Sequence, residues 1–329
     1  HYQTKTDDRS LITTTSFFQF QTLGDLSDLT IDLEVTARCN AVCSFCPRDA
    51  MPDTRTHVSL DTVRALAANL RNGPRRQVVL CGIGESLLHP KLIEIVEILQ
   101  EAGAFMAMTS NGALMTEKKF LQLIKAGVLS FNFSINAATA ETHREVMGMK
   151  NFAKVIKNVK RVIELRKEHN FPAKIHASFV VCETNAAEVV DFVDQWRDSG
   201  VDQVWLHPIN NRAGLLGIGT KSTDMERFFL RYQDDPMVAV DIFKDHEEKE
   251  NLCKIAKSLA FISSNGEMRL CAMDYKRQTS HGNINQKSLQ QMHFEKLLDF
   301  VRGEYDNFCQ GCDFCPGGIK AKHNELMSH

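Results

Sequence analysis

Three cysteines in one short segment, Cys39, Cys43 and Cys46, have the residue type and the spacing to bind a metal cluster. Their C-x3-C-x2-C spacing places three thiolates on one short arc of backbone. Soft sulfur ligands suit iron–sulfur centres, and three of them can hold three irons of a cubane cluster. The fourth iron would then be open to a small ligand that chelates through an amino and a carboxyl group. A zinc loop is the alternative, although zinc sites usually assemble four ligands from paired cysteines.

The same segment resembles the radical S-adenosylmethionine (SAM) superfamily, which has this cysteine spacing and an aromatic residue, here Phe45, just before the third cysteine. The resemblance implies a [4Fe-4S] cluster with an open iron site and SAM bound to that iron. It also implies that SAM is cleaved reductively to a 5′-deoxyadenosyl radical, which removes a hydrogen atom from the substrate. The protein then has to position the substrate and exclude water.

A glycine-containing segment over residues 81–90 follows the second predicted strand and resembles the SAM-binding motif of that superfamily. Glycine allows the close backbone approach that such a turn needs. Cys81 and Ile83 stand where glycines are commoner in the family. The resemblance predicts cofactor binding by Gly82, Ile83, Gly84 and Glu85.

Polar residues at the ends of the next two predicted strands extend this resemblance. Ser110 and Asn111 match the family's ribose-contacting segment, and Ser134 and Asn136 carry hydroxyl and amide groups of the same kind. Arg144 is placed to pair with the SAM carboxylate through two hydrogen bonds. The alternatives are a simple turn at Asn111, a core position for Ser134 and a solvated helix face for Arg144.

A second group of cysteines lies near the C-terminal end of the sequence. A cysteine, a hairpin glycine, a second cysteine five residues later and a C-terminal cysteine group resemble the auxiliary-cluster extensions called SPASM and twitch domains. Five cysteines are too few for the two clusters of a full SPASM domain, so one auxiliary [4Fe-4S] cluster of the twitch type is predicted. A structural zinc is the alternative. The predicted ligands are Cys253, Cys271, Cys309 and Cys312, with Cys315 as a spare or a substitute.

The pattern of apolar residues predicts the elements that position these groups. Residues 29–35 alternate between apolar and polar side chains and end at the first cysteine group, which is typical of a strand that carries a site at its C-terminal end. Ser59 and Thr116 are predicted helix caps, and Gly127 is a predicted helix stop. Six strand-and-helix units follow one another, which indicates parallel strands and right-handed crossovers.

The predicted fold class is therefore α/β. The family resemblance adds that the six units form a partial (β/α)6 barrel of the radical SAM type, followed by a small α+β auxiliary-cluster domain of the twitch or SPASM kind. A hairpin is predicted around Asn265-Gly266 in that domain. The predicted domain boundaries are a lead-in at 1–28, the barrel at 29–214, a linker at 215–250 and the auxiliary-cluster domain at 251–329.

Composition excludes several other classes of protein. The chain has 329 residues, 43% of them apolar, a formal charge of −2 and a pI near 6.7. These values give no electrostatic footprint for nucleic acid or for an anionic membrane, so neither partner is expected. There is no run of eighteen apolar residues and no basic-then-apolar leader, which predicts a cytoplasmic protein.

Three residues at predicted strand ends are candidates for catalysis. Cys182 could donate a hydrogen atom to a substrate radical, although a lone cysteine is more often a small buried hydrophobe. His207 and Arg212 could take a proton or orient the substrate. Arg212 has the alternative role of fixing the turn into the next domain.

The parts predict an enzyme and leave its reaction open. The favoured reaction is a two-electron oxidation of a small molecule in which the auxiliary cluster accepts an electron. Epimerisation with a cysteine as hydrogen donor and crosslinking of a peptide are the alternatives, and a zinc-containing scaffold is the alternative outside enzymes. A reducing partner such as flavodoxin or ferredoxin is expected.

Overall fold

A computed structural model of the protein describes residues 29–71, 73–213, 223–241 and 253–312. Its first seven strands lie side by side in chain order, and every neighbouring pair among them is parallel. This confirms the predicted α/β class, and the sheet is open because different strands form its two edges. The strands are β1 (Thr30–Leu33), β2 (Gln77–Leu80), β3 (Phe105–Ser110), β4 (Val128–Ser134), β5 (Lys174–Val181), β6 (Gln203–Pro208) and β7 (Val238–Val240).

Helices alternate with these strands, and their starts follow the local sequence. The side-chain oxygens of Ser59 and Thr116 accept hydrogen bonds from the backbone at the first turns of α1 and α3, as predicted, and Gly127 ends α3 in the left-handed conformation. No helix in the described ranges has the length and apolar character needed to cross a bilayer. The helices are α1 (Leu60–Arg71), α2 (Leu92–Glu101), α3 (Glu117–Ala126), α4 (Ala140–Met147), α5 (Phe152–Glu168), α6 (Val189–Arg197), α7 (Thr223–Tyr232), α8 (Lys254–Ser258), α9 (Leu289–Val301) and α10 (Asp306–Cys309).

The two faces of the sheet differ in polarity. On one face apolar side chains pack against the helices; Phe179 of β5, for example, meets Phe192 of α6 with ring centroids 4.9 Å apart. Alternate residues such as Asn132, Ser134 and Trp205 are only half-buried and point to the other face. A functional site can therefore form on that polar face, next to the C-terminal ends of the strands.

The segment predicted as a linker contributes to the sheet. Within its described residues 223–241 it forms α7 and β7, and Val238 of β7 pairs with Val204 of β6. Arg197 of α6 holds the turn before β7 through Asp235, at 2.5 Å. A strand of three residues is too short to show an alternating pattern, which is why the sequence did not indicate it. The predicted charge run at 244–250 lies outside the described residues, as does the predicted lead-in at 1–28.

The C-terminal region also joins the sheet. The predicted hairpin is present as β8 (Leu259–Ile262) and β9 (Met268–Arg269), which pair antiparallel. β8 in turn lies parallel to β1, so the order of the nine described strands is β7-β6-β5-β4-β3-β2-β1-β8-β9. The first strand is therefore covered by chain that comes more than two hundred residues later.

A buried ion pair fastens this hairpin to the barrel. Glu34, which follows β1 and is 1% exposed, accepts hydrogen bonds from the backbone nitrogen and the hydroxyl of Ser264, at 3.0 and 2.9 Å. Its third donor is Nη2 of Arg277, at 3.1 Å. Because a buried carboxylate is costly without partners, these three bonds determine where the hairpin sits.

Replacing Arg277 by methionine should lower the free energy of unfolding by about 3–5 kcal/mol, because the carboxylate of Glu34 would stay buried without its cation. Urea unfolding followed by circular dichroism measures this. Arg64→Met is the matched control, since Arg64 and Asp61 form an exposed pair at 2.9 Å whose loss should cost at most about 1 kcal/mol. Equal urea midpoints for the two variants would show that the Glu34–Arg277 pair does not hold the hairpin.

Candidate active site

The first cysteine group lies in the loop that follows β1. Cys39, Cys43 and Cys46 are all half-buried, and the backbone nitrogen of Cys46 donates to the carbonyl of Cys43 at 3.1 Å. Burial, and then the neighbouring thiols Cys46 and Cys39, raise the pKa of Cys43 to about 12. Thiols oppose one another's ionisation only when they lie close together. A bound metal centre would supply the positive charge that keeps them as thiolates.

Backbone contacts hold this loop from both sides. On one side the backbone nitrogen of Glu85 donates to the carbonyl of Arg38 at 2.7 Å, and a Cβ on Gly84 would come within 2.0 Å of the carbonyl oxygen of Thr36. On the other side Val42 donates to the carbonyl of Met147 at 3.1 Å, at the end of α4. The predicted glycine-containing turn therefore meets the cysteine loop directly, and only glycine fits at position 84.

The carboxylate of Glu85 connects the ends of two strands. It is 3% exposed and accepts from the hydroxyl of Ser110 at 2.9 Å and from the backbone nitrogen of Asn111 at 2.8 Å. The side chain of Asn111 then donates to Asn40 in the cysteine loop at 2.8 Å. The predicted cofactor-binding residues Glu85, Ser110 and Asn111 thus form one network, and their side chains hold the loop instead of pointing into open space.

Asn136 has a similar supporting position. It is fully buried, its amide oxygen accepts from the backbone of Val180 at 2.7 Å, and its amide nitrogen donates to Ser134 at 2.9 Å. With both ends of its amide engaged, Asn136 positions the end of β4, and its contact with a cofactor stays a prediction. Ser134 is half-buried and Arg144 is exposed on α4, so contacts of both with a cofactor stay predictions.

Three other predicted cofactor-binding residues surround the loop. Phe45 is half-buried and packs on the main core. Gly82 has a φ of +140°, and a Cβ there would lie 2.7 Å from the side chain of Glu34. Ile83 packs with Ala37 and Tyr275, so it links the turn to the C-terminal region.

The second cysteine group converges from four places in the C-terminal region. Cys253 precedes α8, Cys271 follows β9, Cys309 ends α10 and Cys312 comes shortly after it. Burial, and then Cys253, raise the pKa of Cys271 to about 12, and Cys312 adds to this shift. Burial, and then Cys271, Cys253 and Cys312, also raise the pKa of Cys309. The four predicted ligands are therefore together, and Cys315 lies outside the described residues.

The surroundings of the second group fit a cluster with thiolate ligands. Cys253, Cys271 and Cys309 pack with Ala256, Leu270 and Phe300, and such an apolar shell keeps water from a cluster. Within the described part of the chain, no three His, Cys, Asp or Glu side chains are arranged around the position of a single metal ion. The fit to iron–sulfur ligation thus rests on the number of thiols and on their convergence.

Arg212 is close enough to both cysteine groups to be influenced by their charges. Its Nη1 donates to the carbonyl of Ala272, next to Cys271, at 3.2 Å. Burial lowers the pKa of its guanidinium, while the charges of Cys46 and Cys271 act in the opposite direction. One cation is therefore influenced by a thiol of each group, and the role of Arg212 in taking a proton or orienting the substrate stays a prediction.

His207 has a partner that the sequence did not indicate. Its Nδ1 lies 2.5 Å from Oδ2 of Asp241, which follows β7. The two residues are 34 positions apart, and no motif joins them. Cys182 directly follows β5, the neighbouring strand. Asn185 accepts a hydrogen bond from its backbone nitrogen at 2.7 Å, and burial raises the pKa of its thiol. Its role as a hydrogen donor stays a prediction.

Comparison with known proteins gives two family matches. The model of the radical SAM superfamily matches residues 33–195, and the model of the SPASM iron–sulfur cluster-binding domain matches residues 253–315. The second match confirms an auxiliary-cluster domain, while the twitch subtype with a single cluster stays a prediction. The cofactors are accordingly a [4Fe-4S] cluster with SAM and auxiliary iron–sulfur ligation, as the sequence predicted.

Similar proteins include a probable GTP 3′,8-cyclase of Saccharolobus islandicus, 27% identical over 85% of this chain and 88% of the relative. The antilisterial bacteriocin subtilosin biosynthesis protein AlbA of Bacillus subtilis is 28% identical over 86% of this chain and 64% of its own length. Among solved structures, Streptococcus suis SuiB bound to precursor peptide SuiA has a TM-score of 0.68 at 18% identity, covering 92% of this chain and 73% of that one. The chain belongs to the radical SAM superfamily and carries a C-terminal SPASM domain.

Proposed function

We propose that this enzyme oxidises a C–H bond of a peptide side chain by two electrons. The observation that carries the proposal is the position of Arg212, which faces Cys46 of the first cysteine group and Cys271 of the second. A substrate held near this residue would be within reach of both groups. An oxidation requires an acceptor for an electron, and a second cluster would provide that acceptor.

The chain supplies two sets of ligands for this chemistry. Cys39, Cys43 and Cys46 would hold the cluster that binds SAM, and the second group, Cys253, Cys271, Cys309 and Cys312, would hold an auxiliary cluster. When bound, these groups supply a SAM-derived radical that takes a hydrogen atom from the substrate and an acceptor for one electron. The substrate loses a hydrogen atom, a proton and an electron in total, so a base for the proton is required.

His207 is the proposed base. Because its Nδ1 is bonded to the carboxylate of Asp241 at 2.5 Å, its Nε2 is the atom that remains available to the substrate, and the carboxylate holds the orientation of the ring. His207 follows Trp205 on the polar face of β6, and Trp205 stacks on His176 with ring centroids 4.3 Å apart. These rings fix the direction in which His207 points.

The substrate class rests on the relatives. AlbA takes part in bacteriocin biosynthesis by its name, and its similarity supports a peptide substrate for this chain. The small molecule favoured from the sequence remains the second candidate, because the cyclase relatives are named for a reaction of GTP. Reduction by a flavodoxin or a ferredoxin completes the proposal.

Epimerisation is the second candidate reaction, and the position of Cys182 favours it. Val181, the residue before it, pairs with Pro208 in the register of β5 and β6, so Cys182 and His207 lie near the C-terminal ends of neighbouring strands. A thiol there would return a hydrogen atom to the substrate, and no net oxidation would follow.

Turnover in deuterium oxide distinguishes these reactions. The reconstituted, reduced enzyme is incubated anaerobically with SAM and with short peptides encoded beside its gene, and the product mass is read. We expect a product two mass units lighter than the peptide. A product one unit heavier, with one deuterium at an inverted carbon, would instead establish epimerisation. Oxidation of a small molecule while all peptides stay unchanged would transfer the proposal to that substrate class.

Replacing His207 by glutamine should lower the rate of product formation by about 10²–10⁴-fold, because a positioned base is lost. Formation of 5′-deoxyadenosine should continue, since SAM cleavage does not need this base. Chromatography of both products measures the two rates. His169→Gln, at an exposed position after α5, is the control and should match the wild type. Loss of 5′-deoxyadenosine in the His207 variant would contradict the proposed role.

Replacing Cys39, Cys43 and Cys46 together by alanine should abolish SAM cleavage. Iron should fall from about eight to about four atoms per chain, since one of two cubanes is removed. Iron analysis after anaerobic reconstitution measures this. Cys81→Ser is the control, because this thiol lies outside both groups, and the variant should keep its full iron content. Continued SAM cleavage in the triple variant would disprove the assignment of the first cluster.

A further inference from the structure

Lys296 on α9 is a fully buried lysine. Its exposure is 0%, and its Nζ donates to the carbonyl of Leu259 at 2.5 Å. Lysine is almost never fully buried in proteins unless its charge is paired. The neutral carbonyl of Leu259 accepts one of its three N–H groups but brings no negative charge. The position therefore calls for an anionic partner.

The second cysteine group is placed to be that partner. Phe300 lies one turn after Lys296 on α9, and it packs against Cys253, Cys271 and Cys309. Leu259, the hydrogen-bond acceptor, directly follows α8, and Cys253 precedes that helix. Lys296 thus occupies the face of α9 that covers the cysteines. Burial lowers the pKa of Lys296 to about 7, and among its neighbours Cys271 and then Cys253 raise it.

A cubane cluster with four thiolate ligands has a net negative charge, and that charge grows by one unit when the cluster is reduced. A nearby cation stabilises the reduced form more than the oxidised form, and this effect is large where water is excluded. Hydrogen bonds and charges close to the ligands are the means by which a protein tunes such a centre.

We propose that Lys296 is a positioning residue that holds one positive charge against the auxiliary cluster and thereby raises its reduction potential. The cluster then accepts an electron more readily than it would in an apolar pocket of the same shape. Arg212 also lies near Cys271, because it donates to the carbonyl of Ala272, and it is influenced by Cys46 of the first group as well. The contacts of Lys296 connect it with the auxiliary group. Its replacement should therefore leave the first cluster unaffected.

The test is a redox titration followed by electron paramagnetic resonance. A full-length background with Cys39, Cys43 and Cys46 replaced by alanine leaves the auxiliary cluster as the one observed. In that background Lys296→Gln keeps a donor for Leu259 without the charge, and Lys296→Arg keeps the charge. Lys276→Gln removes an exposed charge from the same domain and is the matched control.

At the wild-type midpoint potential, Lys296→Gln should lower the ratio of reduced to oxidised cluster at least tenfold, which corresponds to about 59 mV for one electron. Lys296→Arg and Lys276→Gln should stay close to the wild type. Loss of iron from Lys296→Gln but not from Lys296→Arg would also support the proposal, because the two variants differ in the positive charge next to the cluster.

Two results would overturn the proposal. One is a wild-type potential for Lys296→Gln, and the other is an equal shift, or an equal loss of iron, in Lys296→Gln and Lys296→Arg. Either would mean that packing and not charge is what Lys296 provides. The measurement needs no substrate, so its outcome is independent of the reaction proposed above.

Discussion

The close approach of Gly84 to the carbonyl of Thr36 is the contact on which the site depends. The loop that carries Cys39, Cys43 and Cys46 lies outside any long helix or strand, so it needs external support. Support on one side comes from a turn whose backbone lies where any Cβ would clash, and on the other side from the end of α4. Side-chain hydrogen bonds through Glu85 and Asn111 then fix the same loop to β2 and β3. Three converging thiols are thus positioned by backbone shape first and by polar contacts second.

Charge is the second organising constraint. Both cysteine groups are desolvated, and burial opposes thiolate formation in each. Two cations are close to these thiols, since Arg212 is influenced by Cys46 and Cys271 and the buried Lys296 lies on the helix that packs against the second group. Buried cations and buried anions are each unfavourable alone and compatible together. The arrangement gives a reason for both residues to be inside the protein.

Much of the architecture could be predicted from the sequence, because it depends on local signals. Ser59 and Thr116 cap helices where expected, and the hairpin turns at Asn265-Gly266 as its sequence indicates. What the sequence did not indicate depends on distant pairing. The sequence of residues 238–240 does not indicate a strand, and no motif indicates that Asp241 is the partner of His207. Lys296 sits in a helix beside Glu295, where a solvated position would be the ordinary expectation, and its burial follows only from the packing of α9.

The position of β8 beside β1 has a consequence for how the chain folds. Residue 31 pairs with residue 260, so the sheet is completed only after nearly the whole chain has been synthesised. Contacts of such large sequence separation form slowly. Until β8 arrives, β1 is an unpaired edge with the backbone groups that invite association with other chains. The radical SAM region and the SPASM region are therefore not modules that can be separated between their family matches. A fragment that ends before residue 253 would leave β1 as an unpaired edge strand that is open to aggregation.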